Sequence, residues 1–276
     1  MALEDEFCDI YRKAKRGTGL DDRALAAQTG IALATLTAWN EPTGQPTEAQ
    51  ARSVAKLLRL DPGKFADAAA QRYEPHVALP PNVRHHPQDP HPSNGYLFFL
   101  EDGRTAALVD PAGYPANLLR AIAQGPYALR YILITHKHPD HCDATADVAA
   151  AFPDAQIVMH RSDVAAIGAL AHRALGVVDN DALPFGNDAE IRMLHTPGHT
   201  DGSSCFLFRS TLFSGDTLFA GSVGGAYGER STYADILDSV RLRIFTLDDT
   251  TVVMPGHGPP TTVALEKAHN PFFSGI

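Results

Sequence analysis

Thr135-His136-Lys137-His138-Pro139-Asp140-His141 places three histidines and one aspartate within six residues. Imidazole and carboxylate are the ligands that zinc and similar divalent metals take up. An HxH pair at a strand end can aim both rings at one ion. Asp140 and His141 follow closely enough to serve a second ion beside it. Thirteen histidines in 276 residues would give one or two accidental neighbours, but not this density. The apolar run Tyr131-Ile132-Leu133-Ile134 precedes the cluster. It is short and β-branched-rich, so it reads as a buried strand with the ligands in the loop at its end.

Three further residues fit that pattern. His199 lies in Thr196-Pro197-Gly198-His199-Thr200, Asp216 in Gly215-Asp216-Thr217, and His257 in Pro255-Gly256-His257-Gly258. Each follows a strand-like segment and adjoins glycine, which lets the backbone turn tightly beside an ion. Taken singly, these are loop or cap residues. Taken together, four strand-end loops carry metal-type ligands, which is the arrangement of a metal centre.

The elements that must position these loops begin near Asn94. Strands are expected at 96–100, 106–109, 131–134, 156–159, 190–194, 204–208, 211–214 and 252–254. Helices are expected at 115–124, 143–151, 162–170, 233–245 and from Ala264 to His269. Residues 76–93, rich in Pro and His, read as a linker with a short strand around 77–83. Residues 1–75 read as a separate helical domain. Helical patterns run from Leu20 to Thr29, from Ile31 to Trp39, from an N-cap at Thr47, and from Asp61-Pro62. The expected domains are therefore 1–75 and 76–276.

Net charge is −9 and 44% of residues are hydrophobic. That balance argues against a non-specific nucleic-acid binder or a membrane-surface protein. No apolar run approaches membrane-span length, and the acidic N-terminus lacks the features of a secretion signal. Three cysteines without CxxC spacing point to a reducing compartment, so a cytoplasmic location is expected.

The motifs resemble two known families. Leu25-Ala26-Ala27-Gln28-Thr29-Gly30-Ile31, Thr35-Leu36, the Pro46-Thr47 helix start and Ala55-Lys56-Leu57-Leu58-Arg59-Leu60 are similar to the helix-turn-helix domain of the lambda-repressor-like (XRE) family. The helix in the recognition position, Ala32 to Asn40, carries no Arg or Lys, however. Residues 1–75 hold ten Lys/Arg against eleven Asp/Glu. Base readout and phosphate attraction are poorly served, so a packing or homo-oligomerising module is expected rather than a nucleic-acid reader.

Residues 80–276 resemble the metallo-β-lactamase superfamily, whose HxHxDH motif is His136 to His141. The resemblance implies an α/β fold, an αββα sandwich, after the small all-α domain. It implies a first ion on His136, His138 and His199, a second on Asp140, His141 and His257, and Asp216 as bridge. Asp110 matches the aspartate that closes the family's early strand. Gly215 to Gly224, Pro255 to Val263, Glu266 and Asn270-Pro271-Phe272 look like the short bacterial branch of the glyoxalase II group, which hydrolyses S-acylglutathione thioesters. Arg161 and Arg230 are the candidate contacts for a substrate anion.

Two divalent ions, zinc first and iron or manganese as alternatives, would supply a bridging hydroxide at neutral pH and polarise the scissile carbonyl. Asp140 would orient the hydroxide and move a proton, which makes it the catalytic residue. A thiolate leaving group needs little acid help, so a small-molecule thioester or activated ester is the expected substrate. The alternatives are a mono-iron enzyme like the persulfide dioxygenases, a lactonase or β-lactamase-type hydrolase, and a DNA-binding regulator with a metal-sensing domain.

Overall fold

Strands buried on both faces organise the second part of the chain in the computed structural model, which describes residues 1–186, 188–226 and 232–275. One six-stranded sheet contains β1 (Val83–Pro87), β2 (Asn94–Phe99), β3 (Thr105–Val109), β4 (Ala128–Ile134), β5 (Gln156–His160) and β6 (Ala174–Val177), in that spatial order. The first three pair antiparallel, and β3 to β6 pair parallel. The second sheet uses β7 (Ala182–Pro184), β8 (Glu190–His195), β9 (Ser204–Phe208) and β10 (Thr211–Gly215). After a small hairpin, β11 (Leu218–Phe219) and β12 (Ser222–Val223), it is completed by β13 (Val252–Pro255) and β14 (Thr261–Thr262). Its order is β14-β13-β10-β9-β8-β7, with only β10 and β13 parallel.

The inner faces of the two sheets meet in one core. Tyr96, Phe98, Tyr131 and Leu133 come from the first sheet, and Phe206, Phe208, Phe213 and Met254 from the second. Phe98 stacks on Phe213 with ring centroids 4.8 Å apart. Burying such rings contributes roughly 1.5–3 kcal/mol each, which locks the sheets face to face. On the outer side of the first sheet lie α6 (Ala116–Gln124), α7 (Pro139–Cys142) and α8 (Thr145–Ala151). Leu118 and Ile122 of α6 and Val148 of α8 pack there on Ile132 and Ile157. On the outer side of the second lie α9 (Tyr233–Ser239) and α10 (Val263–His269). The layers are α, β, β, α, the expected fold class.

Residues 1–75 form five helices: α1 (Phe7–Thr18), α2 (Asp22–Thr29), α3 (Leu33–Ala38), α4 (Glu48–Leu57) and α5 (Pro62–Ala69). Thr47 caps α4 in a reciprocal pair with Gln50, and Asp61 caps α5 ahead of Pro62. Phe7, Tyr11, Trp39 and Phe65 are buried together. That cluster continues into Leu194, Cys205, Leu212 and Val253 on the outer face of the second sheet.

Polar ties reinforce the join. Lys64 donates to the carbonyls of Lys267 and Phe273, and Asp61 N–H donates to the Pro271 carbonyl at 2.8 Å. Glu266 is fully buried and accepts from Tyr73 Oη, Thr261 Oγ1, the Gly221 N–H and Asn270 Nδ2, all at 2.8–2.9 Å. One carboxyl thus holds the end of the helical region, β14, the β11–β12 turn and the C-terminal segment.

Some expectations were displaced. The strand near 77–83 forms at Val83–Pro87. The 162–170 helix is a 3-10 segment, Val164–Arg173, broken at Gly168 with φ 56°. The helix expected at 233–245 is α9 followed by a π-type turn at Val240–Ile244. The short strands β6, β7, β11, β12 and β14 are additional, and each has too few residues to show an alternating pattern.

Burial pushes the Glu266 carboxyl up to about 7, against the pull of its four donors. A raised acid binds its proton more tightly folded than unfolded. Its stabilising contribution is therefore full below the ordinary carboxyl value and falls away as pH rises through about 7. Glu266→Ala is expected to cost on the order of 3 kcal/mol at pH 5, because it strands four donors. The cost should be smaller at pH 8. Urea midpoints of the metal-free proteins at both pH values check this; an equal or larger cost at pH 8 would refute it.

Candidate metal centre

The site lies where the strand ends of both sheets come together. β3 is followed by Asp110, whose φ of 51° turns the chain sharply and whose side chain is buried. Asp tolerates this left-handed region better than most residues. The Asp110 carboxylate accepts from Thr135 N–H at 2.7 Å, Thr135 Oγ1 at 2.7 Å and His141 Nδ1 at 3.0 Å. It thereby fixes the start of the histidine loop after β4. Asp163 accepts from Lys137 N–H at 3.1 Å and Thr200 Oγ1 at 2.9 Å, tying that loop to the one bearing His199. Asn94 and Tyr96 hold the Pro255 carbonyl, and Asn94 also holds that of Gly258, which sets the His257 loop. Gly256 is required between them: a Cβ there would lie 2.3 Å from Asp216 Oδ1.

All seven expected ligand residues converge. His136 Nε2 lies 3.2 Å from His199 Nε2, which lies 2.8 Å from His138 Nδ1. His141 Nε2 lies 3.3 Å from His257 Nε2, and Asp140 Oδ2 lies 3.4 Å from His257 Nε2. Asp216 stands between the groups, with Oδ2 3.4 Å from His199 Nε2 and Oδ1 3.3 Å from His141 Nε2. Three sets have ligand atoms within 4.8 Å of one another: His136, His138 and His199; His136, His141 and Asp216; Asp140, His141 and His257.

The donor set fits divalent cations. Thr135 Oγ1 donates its proton to Asp110, so it accepts from His136 Nδ1–H at 3.0 Å. His141 Nδ1–H is taken by Asp110, and His199 Nδ1–H by the Gly225 carbonyl at 2.6 Å. With their protons directed outward, these rings turn bare Nε2 lone pairs towards one another, which is repulsive without a cation between them. Zn–N bonds of about 2.0–2.1 Å in a tetrahedral site put ligand nitrogens about 3.3 Å apart; the His136–His199 and His141–His257 pairs match this at 3.2 and 3.3 Å, and His138–His199 is closer at 2.8 Å.

Electrostatics agree. Burial, then His141, holds His136 well below the usual imidazole range. Burial also pulls His141 down, but Asp216 and Asp110 outweigh it, so His141 is raised well above that range. Burial works to raise Asp216, yet His141 and His136 keep it well below the carboxylate range. Asp216 and Asp110 thus favour a proton on His141 wherever no cation neutralises them.

Only one of the two arginine candidates lies among the described residues. Arg161 is exposed after β5 and does not line the cavity over the ligands, and Arg230 lies outside the described residues. That cavity, of about 330 Å³, is lined instead by Glu4, Asp5, Asp9 and Lys13 from the N-terminal region, with Phe219 and Gly225. No motif marked these four charged residues in the sequence.

A family model described as the Metallo-beta-lactamase superfamily matches residues 89–257. Hydroxyacylglutathione hydrolase GloC of Haemophilus influenzae is 31% identical over 190 residues, 63% of this chain and 90% of that protein. The crystal structure of the B3 metallo-beta-lactamase BLEG-1 superposes with a TM-score of 0.62 and 29% identity, covering 70% of this chain and all 100% of that one. TTHA1623, solved in a di-iron-bound form, gives a TM-score of 0.56 at 30% identity, over 73% of this chain and 100% of that one.

Metal uptake must displace the His141 proton, so affinity should rise with pH between 6 and 8 and uptake should release protons. Titration calorimetry in buffers of different ionisation enthalpy reads both; pH-independent uptake would contradict the protonation assignment. Asp110→Asn should weaken metal affinity by about 10–100-fold, the usual cost of losing an orienting carboxylate. Wild-type affinity in that variant would contradict its role.

Proposed function

Because the chain belongs to the metallo-beta-lactamase superfamily, we propose that it is a metal-dependent hydrolase that cleaves a thioester or related activated ester with two divalent cations. The observation that carries this reading is the convergence of five imidazole and two carboxylate ligands, backed by outward-facing hydrogen bonds. Bound there, the cations supply a nucleophile from water at neutral pH and polarise the scissile carbonyl.

The chain's own residues do the rest. His136, His138 and His199 form one ligand group and Asp140, His141 and His257 the other, with Asp216 between them. Asp140 is half-buried at the cavity floor, and burial, which raises its carboxyl, is outweighed by His257 and His141, so it stays ionised at neutral pH. An ionised carboxylate beside the attacking water orients it and accepts its proton. Phe219 and the N-terminal segment wall the cavity and limit water.

Thioesters fit best on leaving-group grounds. Among the described lining residues, the one ammonium is Lys13, and it is held by Asp5 and the Val223 carbonyl. A thiol with a pKa near 8.5 departs as thiolate without a donated proton, whereas an amine does not. The likeness to hydroxyacylglutathione hydrolase GloC points the same way.

His138→Ala and Asp140→Ala are each expected to lower kcat/KM by about 10²-fold or more while leaving the fold intact by circular dichroism. Full activity in metal-replete Asp140→Ala would sink the two-metal mechanism. On a panel of S-lactoylglutathione, a glutathione-free acyl thioester, a lactone and a cephalosporin, one of the two thioesters should show the highest kcat/KM. A lactone or cephalosporin in first place would overturn the substrate class.

A further inference from the structure

A metal-bound imidazole normally gives its second N–H to a carboxylate, carbonyl or hydroxyl that fixes the ring. His136, His141 and His199 have such partners in Thr135, Asp110 and Gly225, all close to the sandwich's strand ends. His257 does not. Its Nε2 faces Asp140 and Asp216, while its Nδ1 is buried and has no hydrogen-bond partner among the described residues. The carboxylate facing that nitrogen is Glu4, with Oε2 3.8 Å away, within ion-pair range and just beyond hydrogen-bond length.

Glu4 is not a loose terminus that happens to lie nearby. Its backbone packs on the turn that follows His257: a Cβ at Gly258, where φ is 74°, would sit 3.0 Å from Glu4 N. The next residue, Asp5, is buried and accepts from both Lys13 of α1 and Ser222 Oγ of β12. Lys13 also donates to the Val223 carbonyl at 2.7 Å and lies 5.2 Å from the Phe219 ring centroid. This clamp pins the chain immediately after Glu4 to the hairpin that walls the cavity.

We propose that Glu4 is the positioning carboxylate of His257, so that the N-terminal helical region completes the metal centre of the same chain. The inference rests on the dinuclear reading above. Chemically, Glu4 accepts the Nδ1 proton, fixes the tautomer that leaves Nε2 free, and adds one negative charge beside a group that must hold a dication. The residue acts through His257 and does not touch substrate. The helical region then has a structural role within the hydrolase.

The test uses full-length protein and zinc with a competing chelator, reading the affinity of each of two ions. Glu4→Ala should weaken one of the two ions, the one assigned to Asp140, His141 and His257, by about tenfold and leave the other unchanged. Glu4→Gln, which keeps an acceptor oxygen at the same reach, should restore most of the loss, and Glu4→Asp, one methylene shorter, should not. In zinc-loaded wild type, proton NMR should show a downfield imidazole N–H signal assigned to His257, absent in Glu4→Ala. Melting of the metal-free proteins should be the same, which separates positioning from folding. Lys13→Met should also weaken that ion, but add little in the Glu4→Ala background, because both act through one contact.

Two ions bound by Glu4→Ala with wild-type affinities would overturn this inference and leave the hydrolase reading standing. Failure of wild type to take up a second ion would overturn both.

Discussion

One buried carboxylate, Asp110, sets the terms for the site. It accepts three hydrogen bonds, two from Thr135 and one from His141. Through the Thr135 hydroxyl it also dictates which nitrogen of His136 carries the proton. Its positive φ brings the side chain back over the end of β4. Without it, the ring nitrogens of the histidine loop would have no reason to present lone pairs to a common centre. A cation, or a proton on His141, is then the physical consequence of that arrangement.

The sandwich exists to place such loops. Parallel neighbours β3, β4 and β5 end on the same side of their sheet, and β10 and β13 end together in the other. Each ligand loop begins where a strand's ladder stops and its backbone is free to turn. Close approach then demands small residues: Gly215 lies against Thr135, and Gly256 against Asp216 and His141. Leu194, Leu212 and Val253 on the outer face of the second sheet lie in one core with α9, α10 and the N-terminal helices, and α1 packs on α9. Covering that face also carries α1 to the rim of the metal cavity, which couples domain packing to the chemistry.

Much of this was legible from residue types. Metal ligands come from a short menu, and each of the seven sits at a strand end beside glycine or within the dense 136–141 cluster. The apolar runs of β4, β9 and β13 announced the strands themselves. Other parts were not legible, for physical reasons. The amphipathic pattern of α1, α4 and α5 says that one face is buried, but not which surface buries it. A two-residue strand such as β11 or β12 has no period to detect. Glu4 was a single acidic residue in an acidic stretch, and only the fold brings it to His257. Arg161 shows the converse: charge and loop position did not bring it to the cavity.

On the reading proposed above, the converging nitrogens and carboxylates hold two divalent cations. Anomalous diffraction from crystals of active, metal-replete protein, collected at the zinc and iron edges, tests it most directly. Two peaks roughly 3.5 Å apart are expected. One should be coordinated by His136, His138 and His199, the other by Asp140, His141 and His257, with Asp216 reaching both. A single peak, or none among these residues, in protein that still hydrolyses substrate would contradict it.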